Sequence, residues 1–177
     1  TSRRQRQMCI RDRSYTDANQ YLSLVHESDK AVKNLIEYFS KVDDPVEIVF
    51  FGDHQPSLNS NFYPLLNGKG MSGLTEDELE ALYTVPFFIW TNYDTPEETV
   101  DITSLNFLST MTLERAGIEL PAYNKFLADM METVPAVNSR GYYSKEKQCY
   151  QHIDDATGEE AEWIKNYHML QLSLIHI

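Results

Sequence analysis

The chain has 177 residues, of which 42% are hydrophobic, and carries a formal net charge of −12. This length suits one domain or part of a larger one. Affinity for nucleic acid depends on neutralising phosphates with basic side chains, so the acidic excess excludes nucleic acid as a partner. Two cysteines give no disulfide framework and no zinc pattern, and no apolar run reaches the roughly 20 residues of a membrane span.

Both ends of the chain resemble translated sequencing adaptors. Met8–Arg13 and Leu172–Ile177 are what two adaptor-like DNA strings would encode, and those strings are reverse complements over their shared length. We therefore predict that residues 1–13 and 172–177 are adaptor artefacts and that 14–171 belong to a longer gene product. Residues 1–13 hold five arginines and one aspartate, so the remainder has 10 basic and 26 acidic residues, a net charge of −16. An anionic substrate would then need a local positive charge, such as a metal ion.

The first predicted element is a helix over Tyr21–Phe39. Its apolar residues recur at three- and four-residue spacing: Tyr21, Val25, Val32, Leu35, Ile36 and Phe39. Asp29 lies on the same stripe, and a carboxylate on a buried face is costly unless it is paired. Two interpretations of Asp29 stay open, a structural anchor to a neighbouring loop and a supporting role near a functional site. We expect His26 at the surface.

Two apolar runs predict strands. Val46–Phe51 is apolar nearly throughout, which is typical of a central parallel strand covered on both faces. Val85–Trp90 predicts a second strand, with Pro86 at a first-residue or edge position. Between them, Thr75–Glu78 has capping-box spacing and predicts a short helix to about Leu82.

The C-terminal half reads as helices separated by a polar stretch. Residues 103–117 predict a helix capped by Thr103 or Ser104, and Pro121 opens another. The range 138–158 reads as irregular, and Glu159–Gln171 as a last helix. The residues expected to pack inward are Tyr123, Phe126, Leu127, Met130, Trp163, Ile164, Tyr167 and Leu170. Helices that alternate with apolar strands predict an α/β fold.

The first strand ends at Gly52, and Asp53 and His54 follow at once. In an open α/β sheet, ligands bind beyond the carboxyl ends of the strands. Gly52 tolerates the backbone angles that both side chains would need to reach one ion. Mixed carboxylate and imidazole ligation suits manganese or zinc better than calcium. Asp53 and His54 are therefore candidate metal ligands.

A structural interpretation of the same dipeptide stays open. An aspartate after a strand is often only a turn former or a helix cap. Zinc-type sites need three or four ligands, and no pattern ties His152 or His168 to Asp53. Spacing alone therefore does not decide between a metal site and a turn.

Three stretches resemble the lipoteichoic acid synthase family, in the alkaline phosphatase and sulfatase superfamily. Ile48–Pro56 resembles its Gly-Asp-His-Gln-Pro signature, Tyr21–Ala31 a family helix, and Tyr83–Trp90 the strand that follows. The resemblance implies an alkaline phosphatase/sulfatase-like mixed sheet between helices, with its N-terminal part missing. Residues 14–171 would then be the C-terminal part of the catalytic domain.

The resemblance also implies roles for single residues. Asp53 and His54 match the family's ligands to a divalent metal, usually manganese, with zinc or magnesium possible. The family's remaining Glu ligand, Thr nucleophile and substrate-binding His lie upstream. We therefore assign no catalytic and no substrate-binding residue within this chain, and we expect the chain alone to be inactive.

The activity implied by the resemblance is glycerol phosphate transfer from phosphatidylglycerol at the bacterial cell envelope. The partners would be an anionic lipid or glycerol-phosphate substrate and the membrane, reached through N-terminal helices, with the catalytic domain outside. Two alternatives stay open. One is a sulfate or phosphate ester hydrolase of the same superfamily, marked by an upstream Cys or Ser instead of Thr. The other is a catalytically dead homologue that binds or supports envelope structure.

Overall fold

The computed structural model describes residues 16–58, 62, 64 and 68–174. The helices are α1 (Thr16–Phe39), α2 (Glu76–Ala81), α3 (Leu108–Arg115), α4 (Ala122–Thr133) and α5 (Gly158–Leu174). The strands are β1 (Glu47–Phe51), β2 (Phe87–Thr91), β3 (Gly141–Ser144) and β4 (Cys149–His152). Helical turns of the 3-10 type span Met71–Gly73, Leu105–Phe107 and Ile153–Asp155. This mixture of helices and small sheets confirms the α/β class.

The proposed adaptor boundaries stay a prediction. Residues 1–13 lie outside the described part of the chain, and so do residues 175–177. Helix α5 continues past the predicted end at Gln171 to Leu174. No helix within the described residues is both long and apolar enough to cross a bilayer.

Strand β1 forms where it was predicted, but its surroundings differ. It pairs antiparallel with β2, in a register that runs from Glu47 opposite Thr91 to Phe51 opposite Phe87. Residues 47–50 are half-buried and Phe51 is exposed, so the prediction of a parallel strand covered on both faces is wrong. An apolar run indicates a tendency to be buried but carries no information about the direction of its neighbour. Here the neighbour is equally apolar, and the Phe50 and Phe88 rings stack at 5.2 Å.

Helix α1 confirms the predicted helix, but its apolar stripe is largely open in the described structure. Tyr21, Val25 and Leu35 are exposed, whereas Val32, Ile36 and Phe39 are half-buried. Asp29 is exposed too, so the expectation of a buried anchor is wrong. Periodicity predicts which residues share a face, whereas burial depends on a partner element. His26 is exposed, as predicted.

The local helix signals are confirmed. The Thr75 hydroxyl accepts from the Glu78 amide at 3.3 Å, and the Glu78 carboxylate accepts from the Thr75 amide at 2.7 Å. The helix predicted over 103–117 is a 3-10 turn that leads into α3, followed by Gly117 at φ +69°. The Ser104 hydroxyl does not cap it; it accepts from the Val137 amide at 3.2 Å.

The described core lies in the C-terminal half. Its buried members are Phe107, Leu127, Met130, Val134, Val137, Tyr142, Ile164 and Tyr167. Tyr123, Phe126 and Trp163 pack against this cluster, which confirms the predicted inward faces of α4 and α5. Leu170, also expected inward, is half-buried.

Strands β3 and β4 form a hairpin in the stretch predicted to be irregular, so that prediction is wrong. They pair from Gly141 opposite His152 to Ser144 opposite Cys149. Polar composition concealed the hairpin, since a buried carboxylate satisfies its polar groups. Glu160 of α5 accepts hydrogen bonds from the Tyr142 hydroxyl at 2.9 Å and the Ser144 hydroxyl at 2.6 Å.

Two core tyrosines make stability sensitive to alkaline pH. Burial raises the pKa of Tyr142, which also donates to Glu160, to about 12, and burial raises that of Tyr167 to about 12. A raised folded-state pKa stabilises the fold fully below the unfolded value near 10, and this contribution is lost as pH rises towards 12. We expect the free energy of unfolding to fall by roughly 2 kcal/mol per tyrosine across this window. Urea unfolding from pH 9 to 12 measures it.

Tyr142→Phe is the matched variant for this test. It removes one titrating hydroxyl, so its stability should fall less steeply above pH 10 than that of the wild type. Identical slopes for the two proteins would show that Tyr142 does not resist ionisation.

One side chain connects α1, β1 and β2. The Asn92 amide nitrogen donates to the carbonyls of Phe39, Val42 and Asp44, at 3.2, 2.9 and 2.9 Å. Its amide oxygen accepts from the Val46 amide at 2.8 Å. Asn92 thus fixes the turn that leads from α1 into β1.

We expect Asn92→Ala to lower the free energy of unfolding by about 2–4 kcal/mol, because several backbone groups lose their partner at once. Asn106→Ala is the control, since the Asn106 amide donates one hydrogen bond, to the Val137 carbonyl at 3.0 Å. That variant should lose only about 1 kcal/mol. Urea denaturation of both variants measures the difference, and equal losses would contradict the bridging role of Asn92.

Candidate metal centre

Gly52 brings the end of β1 close against the start of β2. Its amide donates to the Pro86 carbonyl at 3.0 Å, one residue beyond the strand. A Cβ at this position would lie 3.0 Å from Val85 Cβ and 3.3 Å from Val85 Cγ1. The glycines with positive φ in the described chain are Gly68, Gly117 and Gly158. Gly52 is therefore needed for close approach to Val85, and not for the unusual backbone angles that we expected.

Asp53 and His54 lie side by side and open to solvent. Their side chains are 82% and 78% exposed, and Asp53 Oδ2 lies 3.4 Å from His54 Nε2. Asp53 Oδ1 accepts from the His54 amide at 2.8 Å. His54 Nδ1 lies 2.9 Å from the Gln55 carbonyl. A proton on Nδ1 would donate to that carbonyl and leave the Nε2 lone pair beside the carboxylate.

Gln55 connects this motif to the loop before β2. Its amide nitrogen donates to the Thr84 carbonyl. The contact spans the same strand ends that Gly52 brings together, so Gln55 supports the position of its two neighbours. The structure thus gives the Gln of the signature a role in the protein itself.

The two candidate ligands fit a divalent ion in chemistry and spacing. A tetrahedral zinc ion with bonds of about 2.0–2.1 Å separates neighbouring donor atoms by about 3.4 Å, and the Oδ2 to Nε2 distance is 3.4 Å. Within residues 16–58, 62, 64 and 68–174, no group of three or more His, Cys, Asp or Glu side chains could hold a metal. Asp53 and His54 would therefore supply part of a ligand set, and their assignment stays a prediction.

The other histidines considered in the sequence take different places. His152 Nδ1 accepts from the Asp154 amide at 3.3 Å, at the start of a 3-10 turn. His168 lies on α5, where it contributes to the wall of a cleft. Neither joins Asp53 and His54 in a cluster with metal-binding geometry.

A cleft of about 970 Å³ begins beside the motif. Its wall includes Asp53, the residues before β2, segments 100–106 and 136–140, and part of α5. Four carboxylates line it: Asp53, Asp77, Glu80 and Asp101. Arg140 lies in the same wall and was not singled out from the sequence, because the stretch that carries it read as irregular. Its signal would have been the tyrosine-rich pattern of the following hairpin.

We expect Gly52→Ala to disturb the motif. The added methyl group must displace Val85 or the loop, which costs about 1–3 kcal/mol in overpacked sites and moves Asp53 and His54. Gly70→Ala is the control, because a Cβ there meets no atom within 4 Å. Urea unfolding and manganese binding of the full-length protein measure both effects. This packing would be contradicted if the Gly52→Ala protein were as stable as the Gly70→Ala protein and bound manganese with the same affinity.

Comparison with known proteins places these features in a family. The Sulfatase family model matches residues 1–118, a span that contains β1, β2 and the Asp53-His54 pair. A putative cyclic beta-1,2-glucan modification protein of Rhizobium meliloti is 31% identical over 115 residues, 63% of this chain and 18% of that protein. The capsular polysaccharide biosynthesis protein RkpI of the same organism is 50% identical over 40 residues, 23% of this chain and 7% of that protein.

The chain thus spans less than a fifth of the length of these relatives. No solved structure gives a significant match. The family match covers well over half of the residues and includes the signature at the end of β1. The chain belongs to the sulfatase family, within the alkaline phosphatase and sulfatase superfamily.

Proposed function

We propose that the chain is part of a metal-dependent phosphoglycerol transferase of the bacterial cell envelope, similar to lipoteichoic acid synthase. One observation carries this proposal. The Gly52–Pro56 signature presents a carboxylate and an imidazole together, in the open, at the end of β1. Members of the sulfatase superfamily are typically metal-dependent enzymes, and the signature lies within the matched span.

In this proposal, Asp53 and His54 hold the ion and Gln55 supports them. Asp53 offers a carboxylate oxygen, and His54 offers Nε2 while Nδ1 is held at the Gln55 carbonyl. Gln55 in turn is tied to Thr84. Nitrogen and oxygen donors suit manganese, and zinc or magnesium is the alternative. A bound divalent ion would polarise a phosphoryl oxygen and lower the pKa of a nucleophile.

The substrate in this proposal is the glycerol phosphate headgroup of an anionic lipid. Its phosphoryl group leaves the diacylglycerol oxygen and bonds to an acceptor hydroxyl, whose proton goes to diacylglycerol. The names of the two relatives, which concern a glucan and a capsular polysaccharide, favour a glycan hydroxyl as acceptor. The catalytic domain would then act outside the cytoplasmic membrane, held by helices elsewhere in the full-length protein.

A second candidate is hydrolysis of a sulfate ester, which the family match itself favours. Two assays on the full-length protein separate these candidates. The full-length protein is incubated with manganese, phosphatidylglycerol labelled in the headgroup glycerol, and a cyclic β-1,2-glucan. We expect labelled glycerol phosphate on the glucan and one diacylglycerol per transfer. Release of sulfate from an aryl sulfate without any lipid turnover would overturn the transferase. Absence of product in both assays would favour a catalytically dead homologue.

A further inference from the structure

Arg140 is the one permanently charged cation in the wall of the cleft that the described residues form. The four carboxylates in the same wall repel an anionic ligand, so among the described side chains of this wall Arg140 is the permanent charge that attracts one. Arg140 lies beyond residue 118, outside the span of the family match.

The guanidinium is held in place by an aromatic ring. Its Cζ lies 5.5 Å from the centroid of Tyr83, and Nη1 donates to the Tyr83 hydroxyl at 3.4 Å. An arginine over a ring face is attracted to it, which restricts the side chain before any ligand arrives. Arginine has five N–H donors, and this is its one side-chain hydrogen bond within the described residues. The others stay available to a ligand.

The buried carboxylate of Glu80 attracts Arg140 but forms no direct ion pair with it. Glu80 is buried, and its Oε2 accepts from the Asn138 amide nitrogen at 2.7 Å. No carboxylate among the described residues lies within 4.0 Å of the Arg140 guanidinium as an ion pair. The Tyr83 hydroxyl and, at longer range, the charges of Glu80 and Glu76 raise the pKa of the Arg140 guanidinium, which stays a cation without a direct ion pair.

The backbone under Arg140 is equally fixed. The Asn138 side-chain oxygen accepts from the amides of Arg140 and Gly141, at 2.8 and 2.9 Å. The Arg140 carbonyl accepts from the Ile153 amide at 3.0 Å. A fixed backbone, an oriented guanidinium and unused donors form a preorganised binding group.

We propose that Arg140, oriented by Tyr83, binds a tetrahedral oxyanion of the substrate, a phosphate or sulfate group, in the cleft that begins at Asp53. The planar fork of arginine matches two oxygens of such a group at once, and lysine does not. The inference deepens the proposed function, because it rests on that cleft being the substrate site and names what the substrate offers there.

The test measures binding separately from turnover. The full-length protein is titrated calorimetrically with glycerol phosphate and with inorganic sulfate, in metal-free buffer. We expect Arg140→Gln to raise Kd by about 10- to 100-fold for the anion that binds. Arg140→Lys should recover only part of this loss, and Tyr83→Phe should cost less, since the ring remains.

Arg115→Gln is the matched control. The Arg115 Nη2 already donates to Thr95 Oγ1 at 2.9 Å and to the Pro96 carbonyl at 2.8 Å, so it should not affect anion binding. An Arg140→Gln protein that is folded and binds the anion as tightly as the wild type overturns the proposal, as does a wild type that binds neither anion. If sulfate binds in a manner that depends on Arg140 and glycerol phosphate does not bind, the role of Arg140 is supported and the phosphoglycerol transferase is overturned.

Discussion

Asp53→Ala in the full-length protein is expected to lower turnover by more than about 100-fold. Loss of groups that merely support a metal ligand already costs 10- to 100-fold in affinity or activity, and a ligand itself should cost more. Manganese affinity should fall together with turnover. Because the Asp53 side chain is 82% exposed, stability should change by no more than about 0.5 kcal/mol.

Three measurements on one preparation check this expectation: turnover, manganese content and the urea midpoint. Asp129→Ala is the control, since it removes an exposed carboxylate on α4, away from the motif. His54→Ala should reproduce the loss caused by Asp53→Ala. Full turnover in a folded Asp53→Ala protein would remove the metal assignment and leave the dipeptide as a turn.

The second large effect concerns the hairpin. A Cβ on Gly141 would lie 2.5 Å from the backbone oxygen of Gln151 on the opposite strand. A backbone atom cannot rotate away as a side chain can, so the strands must separate. We expect Gly141→Ala to lower the free energy of unfolding by about 3 kcal/mol or more, at the upper end of overpacking. Separation of the strands should also break the hydrogen bond from the Tyr142 hydroxyl to Glu160.

Gly73→Ala serves as the control for this variant, because a Cβ there would make ordinary contacts of 3.8 and 3.9 Å with Lys69. Urea unfolding compares the two, and amide hydrogen exchange across residues 141–152 locates the damage. A Gly141→Ala protein that matches the control in stability and in exchange would mean that β3 and β4 do not pair as closely as described.

Several features followed from the sequence because their causes are local. The capping box at Thr75 joins groups three residues apart, so its spacing already contained the geometry. The helical period of α1, α4 and α5 is likewise set by apolar residues three and four positions apart. The Gly52–Pro56 signature is a run of five residues that directly follows an apolar run, and this order alone predicts its place at the end of a strand.

Other features depend on residues far apart in the chain, and here the predictions were wrong or silent. The direction of β1 depends on β2, about 40 residues later, and the exposure of Asp29 depends on what covers α1. The hairpin was concealed because Glu160 satisfies the polar groups of Tyr142 and Ser144 from another element. Periodicity cannot register a partner that is distant along the chain.

The sequence by itself determined the α/β class, most helix positions and the two candidate ligands, since each rests on short-range spacing. Only the tertiary structure decided why Gly52 must be a glycine, because the reason is the close approach of Val85 Cβ and Cγ1. It also brought Arg140 onto the ring of Tyr83 and into the cleft with Asp53. Tyr83, Arg140 and Asp53 are far apart in the chain and come close only in the folded structure, so spacing in the sequence could not predict their arrangement.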